Sequence, residues 1–168
     1  MQSARLSYQS LELQDVERFH AMLTDPFIRR YLMDGEVVPE SWVEAKIHES
    51  IELMSRQGIG IWLVSLKTDT ESGPIGAGGY ICFDDIADGE PCLLYALYEA
   101  FTGQGYATEI AEHMIEVGFA RGLPRIFTSV DAPNKASVAV LDRLGFQKCG
   151  TIPGAFDTQT LFEKRPEH

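Results

Sequence analysis

Cys92-Leu93-Leu94-Tyr95-Ala96-Leu97-Tyr98, a short loop, and then Gly103-Gln104-Gly105-Tyr106-Ala107-Thr108 opening a long periodic stretch is the order of signals that decides the fold. The first segment is a compact apolar run of strand formers and predicts a buried strand over 92–98. Downstream, Ile110, Met114 and Val117 fall on one helical line with Ala111, Ile115 and Phe119 beside it, and Gly122 stops a helix over 105–121. A strand that runs through Gly-x-Gly into a helix suits an anion. The first N–H groups of the helix have no partner within it, and the helix dipole adds partial positive charge there. Gly103 and Gly105 keep side chains away from that backbone, and Thr108 adds a hydroxyl in the first turn. The segment lacks the Gly-x4-Gly-Lys-(Ser/Thr) of a Walker-type nucleotide site, and Thr108 stands where a Gly-x-Gly-x-x-Gly motif needs its third glycine. On these residues alone, a flexible turn before a helix reads equally well.

Working outward, the pattern predicts a first strand over 4–13 and a helix opened by Asp15 with Val16, Phe19, Met22 and Leu23 at helical spacing, broken at Asp25-Pro26. A second helix spans about 39–56, with Trp42, Ala45, Ile47, Ile51 and Met54 among its apolar positions, and Gly58 ends it. Strands follow over 59–66, which holds Trp62, and over 74–83, where Gly76, Gly78 and Gly79 mark close backbone approach. Beyond the long helix come a strand over 125–130, a helix over 134–144 and a closing pair of strands over 146–150 and 158–163. The order β-α-α-β-β-β-α-β-α-β-β is that of an α/β domain. No repeat or linker divides the 168 residues, which suit one domain over 1–168.

Composition narrows the function classes. A hydrophobic fraction of 45% excludes disorder, and no apolar run approaches the ~18 residues of a membrane span. The N-terminus lacks a signal-peptide pattern, so a soluble cytoplasmic protein without membrane association is expected. Cys82, Cys92 and Cys149 show no CxxC spacing, and His20, His48, His113 and His168 show no metal-binding pattern, so neither a disulfide framework nor a metal site is expected. A net charge of −11 disfavours nucleic acid as a partner. Such a surface draws in cations such as amines, although acidity alone also serves solubility. The pair Asp84-Asp85 reads as a hairpin tip, Trp62 as core, and Trp42 as core or groove lining.

Three further segments point to a family. Thr102-Gly103-Gln104-Gly105-Tyr106-Ala107 resembles the (Gln/Arg)-x-x-Gly-x-(Gly/Ala) acetyl-CoA signature of the GNAT superfamily, and its continuation through Thr108 resembles the RimJ/RimL-type branch. Asn134-Lys135-Ala136-Ser137 and Leu141-Asp142-Arg143-Leu144-Gly145-Phe146 resemble that branch's Asn-x-x-Ser and Leu-x-(Lys/Arg)-Leu-Gly-Phe block. Leu23 through Leu32 and Pro74-Ile75-Gly76 are similar to two further stretches of the branch, so the resemblance covers nearly the whole chain in order.

The resemblance implies a mixed sheet of about six or seven strands flanked by about four helices, with two parallel strands splayed at a bulge to form a groove for the cosubstrate acetyl-CoA. The backbones of Tyr95, Ala96 and Leu97 would pair with the pantetheine arm. The amides of Gly103, Gln104, Gly105, Tyr106, Ala107 and Thr108 would hold the pyrophosphate. Asn134 would bond the cofactor arm and Ser137 would sit near the sulfur. Phe27, Tyr31 and Tyr95 would line the acceptor groove, as Ile28 and Leu32 also would. Leu97 or its neighbour would offer an N–H to the developing oxyanion, and Ser137 a proton to the leaving thiolate. The amine must be neutral to attack, so a base is needed; Glu90, Asp131, Asp157 or a water chain fills that role, with Tyr95 acting through water as a further option. The chain departs from the superfamily at Thr102, at Leu141, where many members carry a tyrosine acid, and at Cys92, where the branch often has glutamate. The loop 151–157 is short for the branch. The implied function is N-acetyl transfer from acetyl-CoA to a primary amine, either a protein N-terminus or a small molecule, with homodimers common in the family. The alternatives are a non-catalytic CoA-binding module and a small α/β domain without CoA.

Overall fold

The computed structural model describes residues 1–154 and 157–167. Its elements are β1 (Leu6–Ser10), α1 (Val16–Thr24), α2 (Pro26–Leu32), α3 (Glu40–Gln57), β2 (Ile61–Leu66), β3 (Gly76–Ile81), β4 (Cys92–Leu97), α4 (Tyr106–Ala120), β5 (Ile126–Asp131), α5 (Lys135–Arg143), β6 (Gln147–Gly154) and β7 (Asp157–Lys164). The strands form one seven-stranded sheet in the order β1-β2-β3-β4-β5-β7-β6. Neighbours are antiparallel except β4 and β5, which α4 connects in parallel.

That parallel pair differs from the others. β3 and β4 pair without interruption, from Gly76 opposite Leu97 to Ile81 opposite Cys92. β4 and β5 pair only at Cys92 and Phe127, so the strands part beyond that point. The splay is as the resemblance implies, but the expected bulge is not in it. β4 keeps register with β3, and the sheet's register shift falls in β6 between Lys148 and Gly150.

Alternating side chains send β4 into two cores. Leu93 and Leu97 pack with Ile110 and Met114 of α4 and Leu141 of α5, while Leu94 packs with Phe19 and Met22 of α1 and Val43 and Ile47 of α3. Each such side chain taken from water contributes about 1.5–3 kcal/mol. Gly78 lets α4 lie close on the sheet, because a Cβ there would collide with Cγ2 of Ile110. Trp62 is buried in the core, as expected, and Trp42 is half-buried at the edge of the α1–α3 core.

The described residues form five α-helices because residues 27–32, expected between the first helices, lie in one of their own. Asp25 caps α2, accepting from the backbone N–H groups of Phe27 and Ile28 at 3.0 and 3.1 Å, and Pro26 takes the first helical position, which needs no donor. In α3 the sheet-facing residues are Val43, Ile47 and Ser50, whereas Ile51 is 39% exposed. Ser50 can be buried because its Oγ accepts from the N–H of Ile61 at 2.7 Å. Residues 151–154, expected in a loop, extend β6, and Asp157 begins β7. Among the described residues no helix is long and apolar enough to cross a membrane.

Candidate active site

Where β4 and β5 part, a cavity of about 840 Å³ opens. Its walls come from the two strands, the loop before α4, α2, α5, the β3–β4 connection and the β6–β7 pair. Two hydrogen bonds orient β4. Thr128 Oγ1 of β5 donates to the carbonyl of Leu93 at 3.0 Å, and the N–H of Tyr98 donates to the carbonyl of Ile75 on the β3 side at 3.0 Å. By alternation, Leu93, Tyr95 and Leu97 turn their backbone edges toward β5, and Leu94 and Ala96 turn theirs toward β3. Beyond the single β4–β5 pair, Tyr95 and Leu97 therefore face the gap. Ala96, grouped with them on sequence, turns its backbone edge to β3 and still lines the cavity.

One end of the cavity lies at the start of α4. Gly103 and Gly105 line it with φ of 74° and 83°, a left-handed backbone that favours glycine. Thr108 lines it too, its Oγ1 accepting from Arg143 Nη1 at 3.3 Å. Gln104 and Tyr106 do not line it. The Gln104 carbonyl accepts from Arg5 Nη1 at 2.9 Å, and the Tyr106 ring lies 4.3 Å from the Arg5 guanidinium carbon. Glu109, in the first turn, would oppose an anion, but Arg5 neutralises it. Burial alone would raise its carboxyl; hydrogen bonds from Ser3 and Arg5 outweigh that and hold it below its ordinary value.

The middle of the cavity is where β4 meets α5. Asn134 caps α5, its Oδ1 accepting from the Ser137 N–H at 3.3 Å. Ser137 Oγ lies 2.6 Å from Tyr95 Oη. Burial pushes the Tyr95 phenol up to about 12 against the opposing effect of the Ser137 hydrogen bond, so it stays protonated at neutral pH. Leu141, where many superfamily members carry a tyrosine, is 0% exposed within the core.

The far end is acidic. α2 supplies Phe27 and Tyr31, and Ile28 and Leu32 also line this wall. Three carboxylates join them: Asp34 from the turn after α2, Asp85 from the β3–β4 connection and Asp131 from the end of β5. Asp131 shares a sheet face with Phe127, which packs against Ile86 and Cys92 away from α4. It is 2% exposed, and its Oδ1 has no hydrogen-bond partner among the described residues. Burial raises its carboxyl, the charge of Asp34 adds to the rise, and Gln159 opposes it. Asp34 is raised by burial, then by Asp85 and Glu36. Gln159, the partner of Asp131 across β5 and β7, donates from Nε2 to Asp34 Oδ1 at 3.4 Å.

Of the candidate bases, Asp131 lines the cavity. Glu90 does not; it pairs with Arg125 at 2.8 Å. The Asp157 side chain lies outside the described residues, as does His168. Asp84 and Asp85 do form a turn between β3 and β4, and Asp85 also faces the cavity. Sequence reasoning missed Arg143, Asp34, Asp85 and Gln159 as site residues. Arg143 carried a weak signal, a cation in the last turn of a helix, which reads first as a partner of the helix dipole.

Comparison with known proteins gives the family and the fold. The family model described as "Acetyltransferase (GNAT) domain" matches residues 5–147. An uncharacterised N-acetyltransferase p20 of Bacillus licheniformis is 27% identical over 149 residues, covering 88% of this chain and 82% of that protein. A putative GNAT-family acetyltransferase from Bordetella pertussis superposes with a TM-score of 0.81 at 16% identity, over 98% of both chains. The ribosomal L7/L12 alpha-N-protein acetyltransferase RimL, solved in complex with coenzyme A, superposes with a TM-score of 0.74 at 18% identity, over 97% of this chain and 95% of that one.

Proposed function

Because this chain belongs to the GNAT acetyltransferase family, with acetyl-CoA as its donor, we propose that the gap between β4 and β5 delivers the acetyl group to a primary amine by direct attack in a ternary complex. The acceptor is a protein N-terminus, an amino acid or another small amine, and the RimJ/RimL-type branch is the one its motifs resemble most. The observation that carries the reading is continuity. The backbone edges of Tyr95 and Leu97 face a gap that leads to glycines in left-handed conformation at a helix start.

The donor supplies an activated thioester. Tyr95 and Leu97 offer the pantetheine arm the ladder partners that β5 does not, and the start of α4 with Gly103, Gly105 and Thr108 takes the pyrophosphate. Arg143 adds a charged donor there. The Leu97 N–H is the candidate donor to the carbonyl oxygen as charge develops on it. Asp131 takes a proton from the amine, for which a raised carboxyl is better matched than an ordinary one. The new C–N bond forms as the C–S bond breaks. The sulfur leaves with the electron pair and receives a proton passed through the Ser137 hydroxyl, which takes one from the Tyr95 hydroxyl bonded to it; the proton that Asp131 took is released to solvent, from which Tyr95 is reprotonated. Amine and thioester thus become amide and thiol.

The test pairs thermal shift with thiol release. Acetyl-CoA and CoA at ~100 times their dissociation constants should stabilise the fold by about 2.7 kcal/mol, and ATP should not. With a primary amine added, free thiol should then accumulate. Stabilisation without thiol release across an amine panel would favour a CoA-binding module instead, and no stabilisation would remove the groove reading.

A further inference from the structure

We propose that the acceptor is a small dicationic amine: one nitrogen reacts beside Asp131, and a second, still protonated, is held by Asp34 and Asp85. The inference rests on the acetyltransferase reading and deepens it. A reacting nitrogen must be neutral when it attacks, so any preference for positive charge has to come from a different nitrogen of the same molecule.

The three carboxylates arise from separate segments yet line one cavity. Each senses the next, since Asp85 raises Asp34 and Asp34 raises Asp131. Acidic residues on a surface would signify little, but Asp131 is buried, lines the cavity and has an oxygen with no partner among the described residues. A buried carboxylate in that condition is costly until a cation arrives, and the reacting nitrogen, entering as an ammonium, supplies the missing partner until Asp131 takes its proton, while the second ammonium stays with Asp34 and Asp85. Gln159 acts as a positioning residue, tying Asp34 to the strand opposite Asp131.

The opposing charges do not cancel this wall. Arg30 stands over the Tyr31 ring at 5.1 Å on the same wall, Lys135 opens α5 and Arg143 reaches Thr108 at the opposite end, but among the described residues none of them forms an ion pair with Asp34, Asp85 or Asp131. Among the described residues no three acidic, histidine or cysteine side chains gather closely enough to hold a metal ion. Phe27, Tyr31 and Leu32 give the methylenes between the nitrogens an apolar wall. The net charge of −11 raises the local concentration of such a cation.

The experiment compares 1,4-diaminobutane with butylamine as acceptors, by thiol release with acetyl-CoA at saturation. The diamine should be favoured in kcat/KM by about tenfold or more, the scale of one charge-assisted contact. The preference should fall toward parity in Asp34→Asn and in Asp85→Asn, with folding of each variant checked by its melting temperature. As a measurement independent of the variants, the wild-type preference should shrink as ionic strength rises. Equal use of the two amines overturns the inference and leaves the acetyltransferase reading standing. So does turnover of neither by a protein that binds acetyl-CoA and acetylates another amine. Failure to bind acetyl-CoA removes the underlying reading itself.

Discussion

The two ends of the cavity are built by different means. At the start of α4 the chemistry belongs to the backbone: helix N–H groups, two glycines in left-handed conformation, and one cation brought in by α5. At the far end it belongs to side chains, with Asp34, Asp85 and Asp131 supplied by three unrelated segments. One end suits an anion and the other a cation, and the Tyr95–Ser137 hydroxyl pair lies between them. A backbone-built end tolerates most side-chain changes, because its donors survive them. A side-chain-built end fails with a single atom.

The largest effect should therefore follow from Asp131→Asn. It should lower kcat/KM for the amine by about 10²–10⁴-fold while leaving acetyl-CoA affinity near wild type, as steady-state kinetics and calorimetry would reveal. The same variant should melt at a higher temperature at neutral pH. The carboxyl of Asp131 is raised in the fold, so the folded state holds its proton more tightly than the unfolded state does. Stability is then lost as pH rises from the ordinary carboxylate range through that raised value, and asparagine removes the loss. Wild-type kcat/KM should move the opposite way, falling as pH drops through the same window. Equal melting temperatures across that range would mean that Asp131 is not strained by ionisation.

Ser137→Ala tests the middle of the cavity, with an expected drop in kcat of about 10²-fold and little change in the KM for acetyl-CoA. A change confined to KM would make Ser137 a contact rather than a proton donor. At the anion end, Gly105→Ala places a Cβ on a left-handed backbone and should cost about 1–2 kcal/mol. Part of that cost should be read as weaker acetyl-CoA binding in calorimetry. Arg143→Ala should have the smallest effect, a few-fold weaker acetyl-CoA binding that vanishes at high salt, since its contact with Thr108 is exposed. If Arg143→Ala outweighed Asp131→Asn, the contrast between the two ends would be reversed.

The same contrast explains what could be read from the sequence. Backbone-built features leave local signals: Gly103-Gln104-Gly105 before an apolar helix, Pro39 and Gly58 at the ends of α3, and the apolar run of β4. Asn134 and Ser137 were visible only through the Asn-x-x-Ser stretch that resembles the branch; in the fold they are cap and capped residue. α2 was hidden because Asp-Pro reads as a stop when it is also a cap and a first turn. The acidic end was hidden because Asp34, Asp85 and Asp131 are far apart in sequence and each looks like a turn or strand-end residue. Only β4 and β5 parting beside the β6–β7 pair brings them together. Choosing Asp131 over Glu90 needed the Arg125 ion pair, which nothing local in the sequence announces.

In the proposed ternary complex, donor and acceptor occupy opposite ends of one cavity at the same time. Initial rates of thiol release, measured with acetyl-CoA and the amine varied against each other, test this directly. Intersecting reciprocal plots are predicted, since the acetyl group passes only when both ends are filled. Parallel lines, with CoA released before the amine binds, would contradict direct transfer and require an acetylated enzyme group that this arrangement does not assign.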